Sequence, residues 1–302
     1  MTRPRIEALR TPDERYASLP GFALAPHYLE DLPGYETLRV HYLDERPSAA
    51  SGRTYLCLHG QPTWCYLYRK MIPVFVSAGH RVVAPDLFGF GRSDKPVDDA
   101  LYTFEFHRTM LMRFIEALDL KHVTLVVQDW GGLLGLTLPM EFPDRIDQLL
   151  VMNTGLATGR SPGPGFDAWK QFVAEHPDFD IAALMRRATP ILSDAEAAAY
   201  AAPFPDARYR AGVRRFPALV PVTPEMPGVE VSLRAARFLR EEWQGRTFMA
   251  IGMQDPVLGP PVMRALARTI RNCPAPVEVA EGGHFLQEWG APLAIQANAA
   301  FL

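Results

Sequence analysis

Six short runs of almost unbroken apolar sequence constrain this chain more than any other feature. They are TYLCLHG (54–60), HRVVAPD (80–86), VTLVVQD (123–129), QLLVMNT (148–154), TFMAIGM (247–253) and VEVAEG (277–282). A strand with one wet face alternates apolar and polar residues; a run without alternation belongs to a strand covered on both faces, as in parallel sheets. Between the runs lie stretches with helical spacing, such as LYRKMIPVFVSAG and TFEFHRTMLMRFIEAL. Two earlier runs, YLEDL (28–32) and LRVHYLD (38–44), have no helix between them, so an antiparallel edge is expected there. The expected fold is α/β: an eight-stranded, mostly parallel sheet with helices on both faces. A length of 302 residues suits one large α/β domain, with or without an insertion.

One stretch breaks the alternation. Residues 156–228 carry no convincing strand but several short helical segments punctuated by proline, DAWKQFVAEH and SDAEAAAYAAP being the clearest. The second opens on a capping-box pattern, Ser193 with Glu196 three residues on. The expected organisation is therefore a core of 1–155 and 229–302 with a helical cap, 156–228. The cap would sit over the carboxyl ends of the strands, where open α/β sheets bind ligands.

Acidic and basic residues are interspersed and the formal net charge is −3, which offers no surface for nucleic acid or an anionic membrane. The first 22 residues lack the apolar core of a secretory signal, and no run approaches membrane-spanning length. Cys57, Cys65 and Cys273 are odd in number and lack metal-ligand spacing, so buried, reduced thiols and a cytoplasmic setting are expected. A monomer is the expected assembly.

Within VVQDWGG (126–132) an aspartate stands where a strand, a sharp turn and a helix would meet. That context lifts one reactive side chain above the end of a parallel sheet. A serine there would attack a carbonyl. A carboxylate, anionic at neutral pH, is suited to attacking a tetrahedral carbon and displacing a leaving group. Two more candidates close later strands: Asp255 after TFMAIGM and His284 after VEVAEG. Nucleophile, acid, histidine is the chain order of α/β-hydrolase triads. Taken singly, Asp129 could be a helix cap, Asp255 a turn residue and Trp169 a core residue; only their combination carries a functional reading.

The chain resembles the haloalkane dehalogenases of the α/β-hydrolase superfamily, in the branch whose acid follows the seventh strand. The resemblance is carried by HGQPTWCYLYRKM, PDLFGFGRSDKP, VVQDWGG, GFDAWKQF, AIGMQDPVLGP and EGGHF. It implies Asp129 as nucleophile, His284 as base and Asp255 as the acid that orients it. It also implies that Trp130 and, from the cap, Trp169 hold the halide. The mechanism it implies has two steps: Asp129 displaces halide from a halogenated alkane to form an alkyl ester, and water activated by His284 then hydrolyses that ester to an alcohol. Backbone N–H groups of Gln61 and Trp130 would hold the oxyanion. Leu133, Phe166, Val257 and Leu258 are expected in the pocket from their places beside motif residues. The sixth strand ends in Asn153, a neutral residue, so the acid is not expected there.

His59 reads as part of the turn that places Gln61, and the remaining histidines have no metal-like spacing, so neither metal nor cofactor is expected. FGFG (88–91) mimics part of a dinucleotide fingerprint, without the helix and acidic partner that would follow. The expected partners are substrate, water and halide. The nearest rival, an epoxide hydrolase, would need acids to protonate the opened ring, for which Tyr200 and Tyr209 are available. A fluoroacetate dehalogenase would need arginines just after the nucleophile, and GGLLGLTL has none. A non-catalytic ligand-binding hydrolase fold would be expected to have lost part of the triad.

Overall fold

The computed structural model describes residues 6–48 and 52–302. Its strands are β1 (Ala8–Leu9), β2 (His27–Leu29), β3 (Val40–Glu45), β4 (Thr54–Leu58), β5 (Arg81–Pro85), β6 (Lys95–Pro96), β7 (Val123–Val127), β8 (Ile146–Met152), β9 (Arg246–Gly252) and β10 (Val277–Val279). Eight of them form one sheet in the order β10-β9-β8-β7-β4-β5-β3-β2. β4, β5, β7, β8, β9 and β10 run parallel, while β3 pairs antiparallel with β5 and β2 antiparallel with β3. This is the expected sheet with its antiparallel edge. The two-residue strands β1 and β6 pair with each other outside it; they are too short to leave a sequence pattern.

Every residue of β4 and β7 is buried, as unbroken apolar runs require. The last strand departs from that pattern. β10 lies at the sheet edge, is only three residues long, and turns Glu278 to solvent. An edge strand has one neighbour, so its polar residue need not be covered.

Helices fill the connections: α1 (Ile72–Ser77), α2 (Phe104–Ala117), α3 (Trp130–Gly135), α4 (Pro164–Glu175), α5 (Ile181–Ala188), α6 (Asp194–Ala201), α7 (Ala211–Leu219), α8 (Val229–Glu241), α9 (Pro260–Thr269) and α10 (Gly290–Phe301). The helical pattern over 67–79 resolves into a 3-10 turn, Cys65–Tyr68, and the short α1. Pro73 explains the break: without an N–H it suits the first turn of a helix and cannot continue one from upstream. α2 starts where Thr103 accepts a hydrogen bond from the Phe106 N–H at 3.0 Å.

Between β8 and β9 there is no strand, and α4 to α7 follow one another. α6 carries the expected capping box, with the Glu196 N–H donating to Ser193 Oγ and the Ser193 N–H donating to Glu196. A buried ion cluster fastens α6 to the core. Arg69 grips Glu288 with two N–H groups, at 2.6 and 2.9 Å, and reaches Glu196 at 2.8 Å, while the Tyr200 hydroxyl donates to Glu288. Bidentate geometry and the burial of Arg69 and Glu288 make this attachment costly to break from one side, while Glu196 is partly exposed. Glu288 lies four residues after His284, so the helices above the sheet and the loop carrying that histidine share one anchor.

Candidate active site

Strand register brings the chemical residues together. Leu58 of β4 lies opposite Val127 of β7, Val127 opposite Val151 of β8, Met152 opposite Ala250 of β9, and Gly252 opposite Val279 of β10. The residues just beyond these ends, Gln61, Asp129, Asn153, Asp255 and His284, therefore emerge along one edge of the sheet.

Asp129 occupies the turn between β7 and α3 with φ 49° and ψ −125°. A non-glycine residue there is strained, and such strain persists where the surroundings over-determine it. Thr154 Oγ1 donates to the Asp129 carbonyl at 2.8 Å, and the Leu133 N–H donates to the same oxygen at 3.0 Å. The glycines that follow are forced by close packing. A Cβ on Gly131 would lie 2.0 Å from the Leu58 carbonyl oxygen, and one on Gly132 would lie 2.0 Å from Thr154 Oγ1. On the facing loop a Cβ on Gly60 would meet Asp129 Oδ1 at 2.2 Å. Any side chain at these positions would push the carboxylate out of place.

The two carboxylate oxygens face different partners. Oδ1 accepts a hydrogen bond from the Gln61 N–H at 2.7 Å. Oδ2 lies 3.6 Å from His284 Nε2. The Trp130 amide opens α3, where backbone N–H groups have no intrahelical acceptor. The Gln61 side chain is already engaged, its Nε2 donating to the Val213 carbonyl of α7 at 3.0 Å.

His284 Nδ1 donates to Asp255 Oδ2 at 2.8 Å. Asp255 is buried and heavily solvated by protein donors: Asn153 Nδ2 reaches Oδ2 at 2.7 Å, and the Val257 N–H reaches Oδ1 at 2.8 Å. Burial opposes its charge, but His284, Asn153 and the Val257 amide together hold its carboxyl below the usual range. The imidazole is shifted the other way. Desolvation disfavours its cation, yet the flanking carboxylates of Asp255 and Asp129 raise it to about 10.

Sequence reasoning missed two supports here. Asn153, noted only as a neutral residue, donates to the carboxylate and also accepts from the Gly252 N–H at 2.8 Å. Gln128 donates through Nε2 to the His284 carbonyl at 3.0 Å, tying the histidine loop to the turn. These contacts span 99 to 156 residues, so no local pattern could reveal them.

Asp129, Trp130, Trp169 and His284 line one cavity of about 660 Å3. Its wall is mostly apolar and largely supplied by α4 and the segments after it, including Phe166, Phe172, Leu184 and Val220, with Arg187 and Glu281 also on the lining. Trp130 is 2% exposed and packs against Phe216, with ring centres 4.6 Å apart. Trp169, on α4, packs edge-on against Phe179 at 5.4 Å. Buried indoles ordinarily find an acceptor. Trp64 donates to the Ala199 carbonyl and Trp243 to Thr247 Oγ1, each at 3.2 Å. The Nε1–H groups of Trp130 and Trp169 have no acceptor among the described residues.

Of the expected pocket residues, Phe166 and Val257 line this cavity. Leu133 and Leu258 line a second one, which meets the first at Asp129, Phe166 and Val220. Phe166 and Val220 divide the two, and closeness in sequence to Asp129 or Val257 says nothing about which side a residue faces. Neither Tyr200 nor Tyr209 reaches the first cavity. Tyr200 is fully buried with its hydroxyl given to Glu288, so the proton donors that an epoxide hydrolase would need are lacking from the lining.

One cluster of potential metal ligands lies elsewhere among the described residues: His41, Cys65 and Asp86, all buried. It is an internal hydrogen-bonded hub, in which Asp86 accepts from His41 Nδ1 at 2.7 Å, from the Cys65 N–H at 2.8 Å and from the Arg92 N–H at 2.9 Å. His59, fully buried, accepts from the Leu87 N–H at 3.0 Å, which braces the Gln61 loop.

Residues 56–291 match the family model for the alpha/beta hydrolase fold. A haloalkane dehalogenase of Psychrobacter cryohalolentis is 46% identical over 94% of this chain and 94% of its own length. One from Mycobacterium marinum is 42% identical over 95% of this chain and 97% of its own. Among solved structures, the tetrameric haloalkane dehalogenase DpaA from Paraglaciecola agarilytica superposes with a TM-score of 0.95 at 51% identity, covering 98% of this chain and 99% of that one. With that fold, that cavity and relatives of this likeness over nearly its full length, the chain belongs to the haloalkane dehalogenase family of α/β hydrolases.

Proposed function

We propose that this cavity hydrolyses the carbon–halogen bond of a halogenated alkane to a primary alcohol, halide and a proton, through an ester on Asp129. The observation that carries the reading is the pair of unspent indole N–H groups lining the same apolar cavity as an elbow carboxylate. Halide leaving into an apolar space needs donors that bring no negative charge, and Trp130 and Trp169 supply them.

In the first step Asp129 Oδ2 attacks the halogen-bearing carbon. The C–O bond forms as the carbon–halogen bond breaks, and halide departs between the two indoles. In the second step His284 takes a proton from water, which attacks the Asp129 carboxyl carbon. The Gln61 and Trp130 amides hold Oδ1 as it becomes the oxyanion, and collapse releases alcohol and restores the carboxylate. Asp255 fixes the imidazole orientation and stabilises its cation. Esterification removes the charge of Asp129, one of the two carboxylates that raise the imidazole, and so weakens its hold on the proton, while Asp255 keeps its charge beside it. The net proton is released to solvent.

The cap assignment of 156–228 over a core of 1–155 and 229–302 is part of the same proposal. It is supported by the run of helices α4 to α7 and by the wall residues they contribute. All the residues named come from one chain, so the monomer is the proposed catalytic unit. The free cysteines Cys57, Cys65 and Cys273, the first two buried, favour a reducing, cytoplasmic setting. Among the described residues no helix is long and apolar enough to cross a membrane.

The test is halide release and product analysis with 1-bromobutane, 1,2-dibromoethane and a terminal epoxide side by side. Bromide and alcohol should form from the first two, with no diol from the third. Efficient epoxide opening without bromide release would replace the dehalogenase by an epoxide hydrolase.

A further inference from the structure

The second cavity, of about 480 Å3, has no part in the chemistry so far. It opens from Asp129 and runs between apolar walls that include Leu133, Leu258 and Leu266. Neither halide-facing tryptophan lines it, so it is not a second place for the leaving group. Two exposed arginines also line it, Arg160 from the loop after β8 and Arg240 from the last turn of α8. Neither makes a hydrogen bond or ion pair among the described residues, and Asp129 is the only acid on the lining. The first cavity differs: Glu281 and Arg187 both line it, so its charge is mixed.

A space that begins at the reacting carboxylate, continues as hydrocarbon and includes two unpaired guanidinium groups fits one ligand shape. We propose that the second cavity is a subsite for the chain of a terminally halogenated alkanoate, with the halogen-bearing carbon at Asp129, the methylenes along Leu133 and Leu258, and the carboxylate on Arg160 and Arg240. Guanidinium suits a carboxylate because its planar N–H groups match both oxygens. The reaction is the one already described, resting on that reading of the first cavity. The carbon–halogen bond is replaced by carbon–oxygen, and one water yields hydroxyalkanoate, halide and a proton. This differs from fluoroacetate chemistry, in which carboxylate and halogen sit on the same carbon.

The test compares 8-bromooctanoate with its neutral methyl ester, using 1-bromobutane, which has no charged end, as reference. Exposed charge pairs are individually weak, so the two arginines together should favour the carboxylate by about five- to tenfold in kcat/KM. The preference should sit in KM, shrink with added salt, and vanish in the Arg160→Gln/Arg240→Gln double variant while 1-bromobutane turnover stays at the wild-type rate. A wild-type enzyme that handles acid and ester equally, or a double variant that keeps the preference, overturns the subsite and leaves the dehalogenase reading standing. Absence of turnover on 1-bromobutane itself overturns both.

Discussion

The two sides of Asp129 are built in opposite ways. Toward His284, most polar groups meet one another: Asp255 accepts from His284, Asn153 and the Val257 amide, and the His284 carbonyl is held by Gln128 Nε2, although Gln128 Oε1 is buried without a partner. Toward the cap, Trp130 and Trp169 present N–H groups with no protein acceptor. A saturated network fixes a base in one orientation and steadies its charge. The open pair is not sealed in the core: neither Nε1 belongs to the buried side-chain atoms left without a partner, and Trp169 is only partly buried. Such a pair makes sense where a transient anion completes it. On the proposed mechanism, one side is organised before substrate arrives and the other is completed only while halide is present.

Asp129 is common to both sides, so its removal should have the largest effect. Asp129→Ala should release no bromide, in a burst or at steady state. On the saturated side, Asp255→Asn should leave bromide release in the first turnover and slow ester hydrolysis; the comparable loss in a serine triad is about 10⁴-fold. Stopped-flow halide detection separates the two steps. Unchanged hydrolysis would break this contrast and show that Asp255 is not the acid.

On the open side, Trp169→Phe keeps the ring and deletes the donor. Losing one donor to developing charge costs about 2.7–4 kcal/mol, so bromide release should fall roughly 10²- to 10³-fold while the fold survives. Bromide should quench wild-type tryptophan fluorescence saturably and this variant more weakly. A smaller effect is expected for Asn153→Ala, which removes one donor from a buried carboxylate that keeps its others. A loss of about 1–3 kcal/mol, read in ester hydrolysis but not in the bromide burst, would place Asn153 on the saturated side alone.

The pH dependence of stability sharpens the same contrast. His284 is raised from 6.5 to about 10 in the folded chain, so its protonation stabilises the fold fully below pH 6.5 and that contribution is lost as pH climbs through about 10. The Tm advantage of wild type over His284→Phe should therefore shrink by roughly a few degrees across that interval, whereas Trp169→Phe should follow wild type. A constant advantage would show that the carboxylates do not hold the imidazole proton.

What the sequence made legible follows the same division. Strand ends are local signals, so Asp129, Asp255 and His284 could be read from apolar runs that stop at a chemical residue. Trp130 and Trp169 could be assigned to the cavity they line only in combination with QDW and the GFDAWKQF segment, and their halide role belongs to the proposal. The saturated side was legible in its members but not in its bonding, because Asn153 meets Asp255 across 102 residues and Gln128 meets His284 across 156. The short α3 and α1 were also hidden, since apolar stretches such as GGLLGLTL continue past the point where the backbone leaves the helix. The division of Leu133 and Leu258 from Phe172 and Trp169 was out of reach for the same reason, as Phe166 and Val220 come from different segments of the chain.

The central claim is that Asp129 carries the alkyl group between the two steps, and His284→Phe tests it by blocking only the second. Treated with 1-bromobutane, this variant should release one bromide per active site and stop. It should then be heavier by one butyl group, and peptide mapping should find that group on Asp129. Continued turnover, or a butyl group on any other residue, contradicts the account.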